Sequence, residues 1–188
     1  ALPILGGALW NTAQTRQIEQ ASRGIEPEHQ LMRRAGLSVA RWIMAVAPQA
    51  RRVRVWAGPG GNGGDGLYAA AVLRRQGWDV RATLCHDSAS LRPQTALALQ
   101  AAQDSGVEIS NLSTHFPAER WADLEVDALL GIGGSRPPRG AIAHAIRSLQ
   151  DPGVPVLSVD LPSGLDADSG SCLGDFAVQA QHTDRKST

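Results

Sequence analysis

One run, residues 52–76, constrains this chain more than any other. The apolar stretch RVRVWA passes through GPGGNGGDG, with six glycines in nine positions, and enters LYAAAVLRR, which has helical periodicity. A strand, a glycine-rich turn and a helix in that order bring bare backbone N–H groups and the positive end of a helix to one point. Such a turn either holds a phosphate or is simply tight, with no ligand. Gly58, Gly60 and Gly63 also spell G-x-G-x-x-G. The periodicity predicts a helix starting near residue 66, so Gly63 falls too early for a dinucleotide fingerprint. Asp87, after the next strand, is weak support for a ribose contact. A Walker A loop is excluded because no G-K-[ST] follows. Asp65 is foreign to a pure phosphate loop, since a carboxylate there needs a cation or a proton-transfer role to offset repulsion.

The rest of the chain follows the same alternation. Two helices come first, NTAQTRQIEQASRG (residues 11–24) and PEHQLMRRAGLSVARWIMAVAP (27–48). Strands are predicted at 52–57, 79–85, 107–110, 125–131 and 154–162. Helices are predicted at 66–76, 92–106, 117–124 and 140–150. Strands alternating with helices give an α/β, three-layer αβα Rossmann-like domain with a mostly parallel sheet, preceded by the two N-terminal helices. A length of 188 residues fits a single domain, residues 1–188. Ligands of such folds gather at the carboxyl ends of the strands.

Composition removes several classes of partner. The formal net charge is zero, so neither nucleic acid nor an anionic membrane surface is expected. Cys85 and Cys172 are far apart with no CxxC, which argues against a disulfide framework or zinc site and for two buried free thiols in a reducing, cytoplasmic setting. No membrane-spanning run or signal peptide is evident.

Two further strand ends are unusual. VDALLGIGGSRPPRG (126–140) puts Asp127 inside an apolar strand, where it is either buried with partners or exposed at the strand start. The glycines 131, 133 and 134 follow. Arg136 and Arg139 either grip phosphate or are solvated loop residues. SVDLPSGLDADSG (158–170) ends a strand at Asp160, where a carboxylate would face a ligand. Asp166 and Asp168 imitate part of a calcium loop, but the rest of that loop is missing, so they read as turn formers. Asn62, Asp127 and Ser163 offer three oxygen ligands on neighbouring strand ends, a set suited to a weakly held monovalent cation.

These motifs together resemble the NAD(P)H-hydrate epimerase family, the YjeF N-terminal domain. The family patterns G-P-G-N-N-G-G-D-G, V-D-A-L-F-G-T-G-L-S-R and D-I-P-S-G-L-D-A-D-T-G are similar to GPGGNGGDG, VDALLGIGGSR and VDLPSGLDADSG, and LMRRAG is similar to L-M-E-x-A-G. The similarity spans residues 10–181. It implies an isomerase that interconverts the R and S forms of hydrated NADH or NADPH (NAD(P)HX), so that a fused or separate dehydratase can complete repair. It implies substrate contacts from Gly61, Asn62, Gly63, Gly64, Asp65, Gly131, Ile132, Gly133, Gly134, Ser135, Arg136, Pro137 and Asp160. It implies potassium (K+) on Asn62, Asp127 and Ser163. The proton carrier is expected to be Asp160, with Asp65 as second candidate. A homodimer through the N-terminal helices is expected.

The chain departs from the pattern in three places. Gly61 stands where Asn is usual, Ile132 where Thr is usual and Gly134 where Leu is usual. After about residue 183 the sequence DRKST is polar where the family has an apolar strand, and such a tail is not expected to make a central strand. The departures keep a second reading open, a non-catalytic nucleotide-binding or interaction module of the same fold. An NAD-dependent oxidoreductase is the third.

Overall fold

The computed structural model describes residues 28–86, 91–112, 121–150 and 153–184, together with residues 13, 14 and 17. The three isolated residues are helical; the rest of the first predicted helix, Asp87 and the tail beyond Asp184 lie outside the described residues. The elements in order are α1 (Glu28–Val46), β1 (Arg52–Ala57), α2 (Gly61–Arg75), β2 (Asp79–Leu84) and α3 (Pro93–Asp104). Then come β3 (Glu108–Asn111), β4 (Leu124–Ala128), α4 (Gly140–Ser148), β5 (Val156–Val159) and β6 (His182–Asp184).

The six strands form one sheet in the order β3-β2-β1-β4-β5-β6, and every pair is parallel. The order reverses between β1 and β4, which opens a crevice at their carboxyl ends. Alternation along the strands divides the side chains between two faces. Val53, Val55, Ala57, Val80, Ala82, Leu84, Val126, Ala128 and Leu157 face α1, α2 and α3 through Ile43, Leu67, Leu73 and Ala98. Trp56, Cys85 and Val156 face the other way, where Ala145 and Ile146 of α4, Leu129, Leu149 and Val178 cover them. Burial pushes the Cys85 thiol up to about 12, so it is an inert core group.

Four features differ from the sequence expectation. First, α2 begins at Gly61, inside the glycine run, so Gly63 lies in its first turn and the spacing ground for rejecting a dinucleotide fingerprint does not hold. Packing overrides the low helix propensity of glycine here. A Cβ at Gly66 would lie 2.5 Å from Ala128 Cβ, one at Gly63 would strike the Gly58 carbonyl, and one at Gly64 would strike Met32 Sδ. The LMRRAG motif has the same cause, because Gly36 lets α1 approach Tyr68 and the Asp65 carbonyl of α2. Second, residues 121–123 are not helical and Leu124 already belongs to β4, while 117–120 lie outside the described residues. Third, a short strand that was not predicted forms at residues 182–184; it lies at the sheet edge, in keeping with the expectation that the polar tail makes no central strand. His182–Asp184 pair with β5 as a short edge strand, a position that needs backbone bonds but little apolar surface. Fourth, Cys172 is exposed rather than buried.

Candidate functional site

The three unusual motifs meet at the carboxyl ends of β1, β4 and β5. Gly58 N–H closes on the Ala128 carbonyl at 3.0 Å, which joins the glycine turn to the end of β4. From the second residue of α2, the Asn62 amide reaches across that seam. Its Nδ2 donates to the Leu130 carbonyl at 2.9 Å and to the Val159 carbonyl at 3.1 Å, bridging the ends of β4 and β5. Its Oδ1 is buried and has no hydrogen-bond partner. A buried acceptor without a donor is uncommon and calls for an explanation.

Asp127 is fully buried in β4, which excludes the exposed strand start. Its carboxylate accepts four hydrogen bonds: from Ser163 Oγ at 2.6 Å, Ser163 N–H at 2.8 Å, Ser158 Oγ at 2.8 Å and Leu129 N–H at 3.2 Å. Burial pushes this carboxyl up from its ordinary range, and the bonds from Ser163, Ser158 and Leu129 pull it back. Ser163 Oγ also accepts the Leu130 N–H at 2.9 Å. Asn62, Asp127, Ser163 and the Leu130 backbone therefore form one buried polar cluster, as their sequence positions suggested.

Asp160 follows β5 directly and adopts a left-handed backbone, φ 69°. That conformation costs a non-glycine residue about 1 kcal/mol, although Asp tolerates it better than most. It persists because both ends of the residue are held. The Asp160 N–H donates to the Asp184 carbonyl at 2.7 Å, and Oδ2 accepts the Ile132 N–H at 3.0 Å. Gly131 lies where the motifs converge. A Cβ there would fall 2.5 Å from Asp160 Oδ2 and 3.5 Å from Asn62 Cγ.

Asp65 is buried in α2, three residues after Asn62. Gly61 opens α2, and an added Cβ there would meet nothing within 4 Å. In the second loop, Gly134 N–H turns back to the Gly131 carbonyl at 3.0 Å. Gly133, Ser135, Arg136 and Pro137 lie exposed on its outer limb, and Arg139 is exposed as well. Asp166 and Asp168 belong to a separate exposed turn, in which the Ser169 N–H and hydroxyl both reach Asp166 Oδ1 at 2.8 Å.

Sequence reasoning missed four participants. Ser158 supports Asp127 from the next strand, and its signal was a lone hydroxyl in the apolar VLSV. The Leu130 and Val159 carbonyls carry no signal in the letters at all. Thr95, in α3, donates to the Gly60 carbonyl at 3.1 Å.

The family described as YjeF-related protein N-terminus matches residues 28–183. A protein named NAD(P)H-hydrate epimerase in Bordetella bronchiseptica is 39% identical over 165 residues, covering 86% of this chain and 68% of that one. Its namesake in Achromobacter xylosoxidans is 35% identical over 181 residues, 92% of this chain and 80% of that one. The bifunctional NAD(P)H-hydrate repair enzyme Nnr of Synechocystis sp. is 35% identical over 180 residues, which are 94% of this chain but 33% of the longer protein. The crystal structure of yeast ynu0, YNL200c, shares the fold, with a TM-score of 0.80 at 22% identity over 94% of this chain and 79% of that one. The parallel sheet, the three strand-end motifs and these matches agree: the chain belongs to the family of YjeF-related protein N-termini.

Proposed function

We propose that this protein is an isomerase that interconverts the R and S epimers of hydrated NADH and NADPH within nicotinamide nucleotide repair. The observation that carries the proposal is Asp160, a carboxylate fixed in a strained backbone at the crevice, beside Gly131 and against the Ile132 N–H. The names of the similar proteins supply the substrate.

The hydrated substrate carries a hydroxyl at C6, next to the ring nitrogen. Inversion there requires the C6–O bond to break and to re-form on the other face. Asp160 is the proposed proton carrier: a proton passes through it to the departing hydroxyl, which leaves as water while the N1 lone pair closes a C=N bond. Water adds to the opposite face and returns a proton to the carboxylate. Atoms and protons balance over the cycle, so no oxidant or reductant is needed. Asp65 is the second carboxylate of the site. Gly61 to Asp65, Gly131 to Pro137 and Asp160 are proposed to contact the substrate, with the free amides of α2 and Arg136 facing its phosphates.

K+ belongs to the same proposal, and the residues fit it. The partnerless Asn62 Oδ1, the Asp127 carboxylate, Ser163 Oγ and the Leu130 and Val159 carbonyls are all oxygen donors with a single formal charge. When bound, the ion would offset the buried Asp127 charge and hold Asn62 against the strand ends. A dehydratase acting on the S form, fused or separate, is the proposed consumer of the product, in line with the bifunctional relatives. A homodimer and a cytoplasmic setting complete the reading. Among the described residues no helix is long and apolar enough to cross a membrane.

The deciding experiment mixes pure R-hydrate with the protein in K+ buffer and follows the S form by chromatography. Appearance above the spontaneous rate is expected, and Asp160→Ala should reduce it by at least about a hundredfold, the usual worth of a general acid–base group. Gly61, lacking the usual amide, favours the non-catalytic alternative. Tight nucleotide binding without acceleration would establish that alternative instead.

A further inference from the structure

Thr95 belongs to none of the motifs, yet it touches the glycine turn. It lies in the first turn of α3 and is 0% exposed. A buried hydroxyl requires a partner, and here the partner is the Gly60 carbonyl at 3.1 Å. The same carbonyl accepts the first helical bond of α2, from the Gly64 N–H, at a long 3.2 Å.

The peptide between Gly60 and Gly61 has little else to fix it. Gly60 caps α2 without any side-chain bond, and an added Cβ at either glycine would meet nothing within 4 Å. Adjacent glycines allow that peptide plane to rotate at low cost. Its rotation matters because C=O and N–H of a trans peptide point in opposite directions. With the Gly60 carbonyl held toward α3 and along α2, the Gly61 N–H must point out of the helix end, where it has no intrahelical partner.

We propose that Thr95 is a positioning residue for the substrate. Its hydroxyl latches the Gly60–Gly61 peptide so that the Gly61 amide stays aimed at the bound nucleotide. The latch matters more in this chain because residue 61 has no side chain to restrict the turn. The identity of the ligand rests on the epimerase reading; the latch itself does not.

The test compares Thr95→Val, which keeps shape and removes the donor, with Thr95→Ser, which keeps the donor. Two quantities are read in correctly folded protein: hydrogen exchange of the Gly64 amide without ligand, and steady-state kinetics with NADPH hydrate. Thr95→Val should speed Gly64 exchange and raise KM, each about three- to tenfold, the equivalent of one neutral hydrogen bond. Its kcat should change less than about twofold, because the Gly61 amide binds substrate and transition state alike. Thr95→Ser should restore both quantities. Unchanged exchange and KM in Thr95→Val, or a serine variant as impaired as the valine one, overturns the latch. A wild-type protein that does not epimerise overturns the functional reading, and the exchange comparison then decides the latch alone.

Discussion

At residue 61 the chain lacks an amide that the resembled pattern carries, and the structure says what restoring it would do. A Cβ there meets nothing, and the position opens a helix rather than a left-handed turn. Gly61→Asn should therefore fold normally, with a gain of a few tenths of a kcal/mol from helix propensity. The new side chain adds one donor beside the substrate, so KM should fall about threefold or more while kcat holds. Steady-state kinetics check this, and a raised KM would mean that the open space at Gly61 is itself used by the ligand. The residues proposed for this site were legible where a side chain carries the polar group. Asp127 and Asp160 stood out because carboxylates interrupt or end apolar strands, and Asn62 and Ser163 because they are oxygen-bearing residues in the glycine turn and in the turn after the last apolar strand. The Leu130 and Val159 carbonyls were not legible, since every residue has a carbonyl and only the fold aims it. Thr95 escaped notice because it lies in a helix that carries no motif.

Among the elements, the alternation of strands and helices was legible because two periods, near 2 and near 3.6, are hard to confuse over long runs. The start of α2 was not, because glycine propensity argues against a helix that close packing on Ala128 and Val55 then requires. Nor was β6, a polar strand whose role is to present the Asp184 carbonyl to Asp160. The cluster of Asn62, Asp127 and Ser163 joins α2, β4 and β5 at one point, so a bound cation should stabilise the whole junction. Replacing sodium by K+ at equal ionic strength should raise the thermal midpoint. A ligand present at about 100 times its Kd contributes about 2.7 kcal/mol. Asp127→Asn should abolish the K+ increment. Equal midpoints in sodium and K+ for the native protein would remove the ion from the proposal.

Across the whole molecule the seam between β1 and β4 is held at both ends. The carboxyl end carries the site. The amino end carries Asp123, just before β4, which accepts Arg52 Nη2 at 2.6 Å and the N–H groups of Arg51 at 3.1 Å and Arg52 at 3.0 Å. The Arg52 guanidinium, helped by those amides, lowers the Asp123 carboxyl from an ordinary 3.8 to about 2. A carboxyl lowered in the folded state binds its proton more readily in the unfolded chain. Its contribution is therefore complete above the unfolded value and is lost as pH falls from about 4 through about 2. The pair is partly exposed, so its effect should also shrink in high salt. Denaturant unfolding of the native protein and Asp123→Asn should then show a constant stability difference at neutral pH that closes as pH approaches 2. Glu125, whose carboxyl burial pushes up despite Arg54 and Trp56, titrates in both proteins and cancels from the difference. A gap that stays constant through the acid range would assign the loss in Asp123→Asn to packing at the strand ends rather than to charge.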